Sequence, residues 1–249
     1  MSQPEIVPAG DQALKVLFEN KIDRKINQRV KQLSDRISRK KITGITETIP
    51  AFRTLTVLYD TLQTDYHTLL LDIQPLLADL DETSRLRKRI IEIPVCYDET
   101  LGPDLQAVAE HAGLSVEEVI QLHSEPDYLI YMLGFLPGFA YLGEMNPIIS
   151  MPRLASPLLN IPAGAVGIAG DQTGMYPMAS PGGWRIIGST PVKLFDADRE
   201  SPILYEAGDY IRFRPISLNE YEEMSSQNTN AEDLYHIVEE DSFGDKDNE

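Results

Sequence analysis

The sequence is short of basic residues. It has 22 Lys or Arg against 39 Asp or Glu among 249 residues, which gives a formal net charge of −17. Nucleic-acid binding requires a basic surface, so this balance argues against a nucleic-acid partner. One early run, residues 21–41, holds nine of the basic residues. We interpret it as the solvated face of a helix, with a partner site as the alternative.

Long apolar runs and paired cysteines are also missing. No apolar run approaches the roughly twenty residues that a membrane-spanning helix needs, and the first residues lack the pattern of a signal peptide. We therefore expect a cytoplasmic protein with no membrane contact. The single cysteine, Cys96, cannot form an internal disulfide and is expected to be a small core residue rather than a nucleophile.

Several catalytic motifs are absent. The sequence has no Gly-x-x-x-x-Gly-Lys-Ser/Thr, so a nucleotide is not held by a Walker loop in this chain. It has no His-x-x-x-His or Cys-x-x-Cys pair, so we expect no metal site. Ser180 and Ser189 lack the Gly-x-Ser-x-Gly surroundings of an esterase nucleophile, so the sequence gives no support for an esterase-type catalytic triad.

The periodicity of apolar residues predicts an α+β protein that begins with a small domain over residues 1–84. Alternation predicts a first strand, and spacings of three and four then predict an amphipathic helix, followed by two strands and a helix that Pro75 interrupts. This order is that of a ferredoxin-like split βαβ unit. Its last strand is expected to be partly missing or to lie near residues 90–95.

A second domain is predicted over residues 85–216, mostly of strands with two short helices. Ser115 and Glu118 form a capping-box pattern for a helix that ends near His123. His123 either caps that helix end or carries a proton. The chain after residue 216 is acidic, and we predict a flexible tail over 217–249 with a brief helix near 233–238.

Glycine and aromatic residues are concentrated in two neighbouring stretches. Residues 161–190 hold seven of the sixteen glycines, which predicts tightly turned strands whose loops crowd one surface. Residues 134–143, GFLPGFAYLG, keep aromatic side chains in a loop, where they tend to line concave sites. The alternatives are a glycine-rich barrel corner without a ligand and plain filling of the barrel.

The polar residues around these stretches predict recognition of a small anionic or amide-bearing molecule. Arg153 and Arg185 are candidate partners of a carboxylate or phosphate group. Gln172 and Thr173 are candidate hydrogen-bonding residues, and His123 is a candidate proton carrier.

Four segments of the chain carry a family resemblance. They are EIPVCYD, HSEPDYLIYMLGFLPGFAYLG, PAGAVGIAGDQTGMYPMASPGGWRIIGSTPVKLFD and AGDYIRFRPI. With them the chain resembles the family of 5-oxoprolinase B subunits, also called the kinase A inhibitor family and related to allophanate hydrolase subunit 1. The resemblance spans about residues 5–216 and implies a cyclophilin-like β-barrel for the second domain. Ala165 departs from the family pattern, which usually has Ser there.

The resemblance implies an ATP-dependent enzyme that opens 5-oxoproline to glutamate and releases ADP and phosphate. The chain would work with the A and C subunits of 5-oxoprolinase, would be inactive alone, and would use ATP with Mg bound in the complex. Phosphorylation of the amide oxygen would give an unreactive lactam a better leaving group. The alternative is a regulator that inhibits a sensor histidine kinase. Prolyl isomerisation is the weakest candidate, because a fold does not carry a function.

The resemblance also implies a set of site residues. The expected catalytic residues are His123, Arg153, Gln172 and Arg185. The expected substrate-binding residues are Phe135, Pro137, Gly138, Phe139, Tyr141, Thr173, Tyr176, Ser180, Gly182, Gly183 and Trp184.

Overall fold

The computed structural model describes residues 4–21, 23–78, 80, 87–226 and 234–241. The chain divides into two compact units, Met1–Ser84 and Arg85–Glu249. Helices and strands occur in both, which confirms the predicted α+β class. Within the described residues, no helix has the length and apolar character that a membrane span requires.

The first unit is a four-stranded sheet covered by helices. Its elements are β1 (Glu5–Pro8), β2 (Ala13–Leu17), α1 (Arg24–Lys40), β3 (Ile45–Pro50), β4 (Thr54–Tyr59), α2 (Tyr66–Ile73) and a 3-10 helix (Gln74–Leu77). The Asp23 carboxylate accepts hydrogen bonds from two backbone N–H groups at the start of α1. The buried face of α1 packs into the core of this unit through Ile26, Val30, Leu33 and Ile37.

The strand order of this sheet is β1-β2-β4-β3, and every neighbouring pair is antiparallel. The predicted succession of strand, helix, strand, strand and helix is present. The expectation of a closing strand near residues 90–95 is wrong, because those residues lie in the second unit. The edge position beside β2 is held instead by β1, which Gly10 at a φ of +86° connects to β2 through a tight turn.

The second unit contains the remaining elements. They are β5 (Arg87–Cys96), α3 (Leu105–Ala112), α4 (Val116–Ser124), β6 (Asp127–Leu133), β7 (Ala140–Leu142), a 3-10 helix (Pro147–Ile149), β8 (Leu158–Ile161), β9 (Ala165–Ala169), β10 (Gln172–Met175), β11 (Ser180–Gly182), β12 (Arg185–Ser189), β13 (Tyr210–Ile216), α5 (Leu218–Ser226) and β14 (His236–Asp241). The predicted capping box at Ser115 is present at the start of α4.

Seven of these strands close into a barrel. They run in the order β12-β9-β10-β7-β6-β13-β5, and β12 pairs back to β5 where Ser189 lies opposite Cys96. The barrel core is continuous with buried residues of the two short helices, including Val108 of α3 and Val119 of α4. β8 and β11 form a separate two-stranded sheet.

The prediction for the C-terminal segment is wrong where the structure describes it. Residues 218–226 form α5, and His236–Asp241 is a strand, β14, instead of the expected helix near 233–238. β14 pairs antiparallel with the first half of β5, whose edge it covers. An open strand edge accepts a further strand readily, and a local sequence pattern does not reveal that edge. Residues 227–233 and 242–249 of the predicted tail lie outside the described residues.

Closure of the barrel predicts an intolerance at Gly188. A Cβ atom there would lie 2.6 Å from the backbone oxygen of Cys96, on the strand that closes the barrel. We expect Gly188→Ala to lower the free energy of unfolding by about 1–3 kcal/mol, as overpacking usually does. Urea unfolding measures this loss. Gly134→Ala is the matched control, because its Cβ would meet only the flexible end of Met132 at 3.3 Å. Equal effects of both substitutions would contradict the prediction.

Candidate functional site

Small residues on one face of β9 and β10 create the candidate site. Val166 and Ile168 of β9 belong to the barrel core, whereas Ala165 and Ala169 belong to a separate aromatic cluster on the other face. Alternation along a strand explains this division. Gly167 lies on the same side as the two alanines. On β10, a Cβ atom at Gly174 would lie 3.1 Å from the Trp184 ring and 3.3 Å from the Phe139 ring. The density of glycine in this stretch therefore lets aromatic rings lie against the strand backbone.

The aromatic cluster is arranged around Phe139, at the start of β7. Its ring centroid lies 4.9 Å from that of Tyr141, 5.2 Å from Tyr176, 5.4 Å from Trp184 and 5.7 Å from Phe135. The contacts are tilted or edge-to-face, which are the arrangements that aromatic rings prefer. The structure thus brings these five predicted residues together.

The loop that precedes β7 holds Phe135 out toward solvent. Phe135 has a φ of +68°, which is rare for a residue other than glycine, and its side chain is 64% exposed. Gly138 follows at a φ of +81°, and its carbonyl accepts a hydrogen bond of 2.7 Å from the Tyr205 hydroxyl. A strained backbone held by its surroundings is a feature of binding loops. Pro137 lies exposed in the same turn.

Arg153 lies over the cluster. Its guanidinium carbon is 5.9 Å from the centroid of the Trp184 ring, and its side chain is exposed. Burial raises the pKa of Tyr141 and raises that of Tyr176 to about 12, although the charge of Arg153 opposes both shifts. Both hydroxyls are therefore protonated at neutral pH, next to an arginine cation.

Arg153 differs from the other lysines and arginines of its unit. Seven of them lie no more than 3.9 Å from a carboxylate oxygen, namely Lys88, Arg89, Arg185, Lys193, Arg199, Arg212 and Arg214. Among the lysine and arginine side chains that the structure describes in Arg85–Glu249, Arg153 is the one without such an ion pair. Its charge is available to a ligand.

Arg185, predicted as a catalytic residue, is held by contacts within the protein. Its guanidinium lies 3.5 Å from the Asp104 carboxylate, and its Nε donates to the Pro152 carbonyl at 3.3 Å. Asp104 also accepts a hydrogen bond of 2.8 Å from the backbone N–H of Ile186. Arg185 thus links the start of α3 to the segment that carries Arg153. No local pattern in the sequence indicates this role for Asp104.

His123 lies in the barrel interior, away from the aromatic cluster. It is fully buried and stacks on Phe213, with a centroid separation of 4.7 Å. The Tyr97 hydroxyl lies 2.7 Å from its Nδ1, and the Thr173 hydroxyl lies 2.7 Å from its Nε2. The Thr173 hydroxyl also donates to the Gly167 carbonyl at 3.0 Å. Both His123 and Thr173 are fully buried.

The hydrogen bonds around His123 fix its tautomer. Because Thr173 uses its only proton on the Gly167 carbonyl, it accepts from Nε2–H, and Nδ1 accepts from the Tyr97 hydroxyl. Burial lowers the pKa of His123 to about 3, so the ring is neutral. A neutral His123 makes no charge–dipole interaction with the C-terminal end of α4.

The remaining predicted residues border the cluster. A Cβ atom at Gly182 would lie 2.4 Å from the Tyr176 hydroxyl, whereas at Gly183 the nearest atom would be 3.8 Å away. Ser180 donates to the neighbouring Pro181 carbonyl. Gln172 begins β10 opposite Ala169 and is half-buried. Among the described residues, no group of three or more His, Cys, Asp or Glu side chains is placed to hold a metal ion.

A role for His123 in the core predicts a pH-dependent stability. The folded-state pKa lies below the ordinary value of 6.5, so the unfolded chain binds more protons between those values. Stability is then complete above about pH 6.5 and is lost as the pH falls toward 3. We expect His123 to contribute about 2 kcal/mol to the loss in unfolding free energy between about pH 7.5 and about pH 5.

Urea unfolding of wild type and His123→Gln at both pH values measures this contribution. The substitution should lower stability at neutral pH and flatten the pH dependence, whereas His111→Gln, at an exposed histidine of α3, should leave both unchanged. A variant that keeps the slope of the wild type would show that His123 is not its source.

Comparison with known proteins places this architecture in a family. Residues 4–205 match the model of the carboxyltransferase domain, subdomain C and D. The B subunit of 5-oxoprolinase from Bacillus subtilis (strain 168) is 41% identical over 227 residues, which are 87% of this chain and 95% of that protein.

Two solved structures show the same relationship. The uncharacterized protein PH0987 from Pyrococcus horikoshii is 44% identical, with a TM-score of 0.52, and the match covers 87% of this chain and all of that one. TTHA0988 is 37% identical, with a TM-score of 0.74, and the match covers 83% of this chain but only 40% of TTHA0988. The resemblance carried by the four sequence segments is confirmed, and this chain belongs to the family of 5-oxoprolinase B subunits.

Proposed function

We propose that this chain is the B subunit of a 5-oxoprolinase, which opens 5-oxoproline to glutamate with hydrolysis of ATP. The observation that carries the proposal is the 41% identity to the Bacillus subtilis protein, which extends over 95% of that protein. A fold alone would not support an activity. Here the family match, over residues 4–205, also includes the loops around the aromatic cluster, where a ligand would bind.

Partner A and C subunits are part of this proposal. The match covers the whole of the Pyrococcus horikoshii protein and only 40% of TTHA0988, so the fold occurs both as a separate chain and as part of a longer one. Such a distribution supports a unit that works beside another domain, which a separate chain must recruit as a partner. We therefore propose that the chain is inactive alone and works in the cytoplasm, where ATP is available.

The side chains that the structure describes in the barrel unit do not fit a site for ATP and Mg. A triphosphate carries several negative charges, and among the lysine and arginine side chains that the structure describes in the barrel unit, Arg153 is the one without a carboxylate partner within 4.0 Å. The described residues also offer no cluster of metal ligands. We propose that one of the partners holds the nucleotide.

The chain would instead contribute to binding of the lactam. The exposed ring of Phe135 and the half-buried ring of Tyr141 form the accessible edge of the aromatic cluster, where a small flat ring can stack. The protonated hydroxyls of Tyr141 and Tyr176 lie near Arg153, within the same cluster. We assign the barrel to the cyclophilin-like type on the family resemblance.

Reconstitution tests the role as a B subunit. ATP hydrolysis is measured with this chain and the A and C subunits, with and without 5-oxoproline, and each component is omitted in turn. We expect lactam-dependent turnover only from the complete mixture and none from this chain alone. Equal turnover by the A and C subunits without this chain would overturn the proposed role.

The same assay tests the site. Arg153→Ala should reduce lactam-dependent turnover by about tenfold or more, since hydrogen bonds to charged groups contribute about 1.5–3 kcal/mol. Its melting temperature should stay close to that of wild type, because Arg153 is exposed. Arg39→Ala on α1 is the control, an exposed arginine in the other unit. Turnover of Arg153→Ala equal to that of the control would exclude this site.

A further inference from the structure

The backbone on both sides of Arg153 is anchored to Arg185, at the start of β12, and to Gly183, just before it. The Pro152 carbonyl accepts a hydrogen bond from Arg185 Nε at 3.3 Å, and the Leu154 N–H donates to the Gly183 carbonyl at 2.7 Å. Arg153 thus projects from a fixed position although it lies outside any strand. Fixing a side chain before binding reduces the entropy that binding must offset.

The guanidinium of Arg153 is oriented but remains available for hydrogen bonding. It lies against the face of Trp184, which holds a planar cation without using its N–H donors. Carboxylates of adjoining segments have other partners, because Asp104 binds Arg185 and Asp171 accepts a hydrogen bond of 2.9 Å from Ser150. A half-buried Asp–Arg pair therefore adjoins an arginine that lacks such a partner.

We infer that Arg153 binds the carboxylate of the ligand while the accessible rings of the aromatic cluster, Phe135 and Tyr141, take the ligand's flat ring, so that the site selects small monocarboxylates that carry a planar ring. An arginine fork matches the two oxygens of a carboxylate, and one guanidinium matches a single negative charge. The inference rests on the proposed function, which supplies 5-oxoproline as the molecule with both features. Arg153 is thereby a specificity-determining residue, because it distinguishes the acid from the bare lactam.

A phosphate group is the competing ligand for the same cation. The second arginine of this region, Arg185, is committed to Asp104 at 3.5 Å, so the two guanidinium groups do not form a joint phosphate site. A nucleotide would also leave most of its charge unpaired here. The geometry favours the carboxylate.

The single tryptophan of the chain makes binding directly measurable. Trp184 is the only tryptophan, and Arg153 lies on its ring, so a ligand that engages Arg153 changes the environment of the one indole fluorophore. Tryptophan emission of the full chain is titrated with 5-oxoproline, with 2-pyrrolidinone, which has the same ring without the carboxylate, and with ATP. The titrations are repeated for Arg153→Ala, Arg153→Lys and the control Arg39→Ala.

We expect a saturable change with 5-oxoproline and none with 2-pyrrolidinone over the same concentrations. Arg153→Ala should weaken the affinity by about tenfold to a hundredfold, and Arg153→Lys should fall between the two because it keeps the charge and loses the fork. Arg39→Ala should bind like wild type. Melting curves of each variant confirm that the chain is folded.

Three results would overturn the inference. They are an equal response to 2-pyrrolidinone and 5-oxoproline, an affinity for 5-oxoproline that does not depend on Arg153, and an Arg153-dependent response to ATP instead of 5-oxoproline. Absence of any response to 5-oxoproline would overturn it as well. Because this assay uses the chain without its partners, its failure is distinguishable from failure of the proposed function, which depends on turnover in the complete mixture.

Discussion

The close approach of aromatic rings to the backbone of β9 and β10 is the constraint on which the site depends. Gly174 leaves room for the rings of Trp184 and Phe139, and Gly167 leaves room for the backbone of Arg185 and the side chain of Ile186, so a side chain at either position would disturb this packing. The rings in turn support Arg153, which stacks on Trp184. Glycine weakens strand pairing, so its use in the middle of a barrel needs a compensating gain. Here the gain is the close packing of aromatic rings against the barrel strands.

The two faces of the same strands have separate roles. Thr173 points into the barrel and joins the hydrogen-bonded chain through His123 to Tyr97, whereas Gly174, the next residue, faces the aromatic cluster. Each of these three buried side chains has a hydrogen-bond partner, which a buried polar network needs if it is to stabilise the core. The buried polar residues therefore stabilise β9 and β10 from inside the barrel, and the outer face of these strands carries the aromatic cluster.

Local patterns predicted the parts of the structure that depend on neighbouring residues. Apolar spacing predicted the amphipathic helix α1, the capping box located the start of α4, and the clustering of glycine predicted the crowded surface where the aromatic cluster lies. The roles of His123 and Arg185 could not be predicted in this way. Both are decided by long-range partners, Thr173 for the histidine and Asp104 for the arginine, and no local pattern in the chain encodes those contacts. Residue type alone therefore yields too many candidates, because burial and pairing decide which of them can reach a ligand.

The protein is acidic, with a net charge of −17, although the proposed function requires it to bind an anion. Charges separated by more than about 8–10 Å are largely screened at physiological ionic strength, so the negative charge of the whole chain has little influence at the site. The local field is set by the nearest groups. The other lysine and arginine side chains that the structure describes in the barrel unit lie beside carboxylates, so under the proposed function the guanidinium of Arg153 over Trp184 would be the positive charge that a small anion meets there.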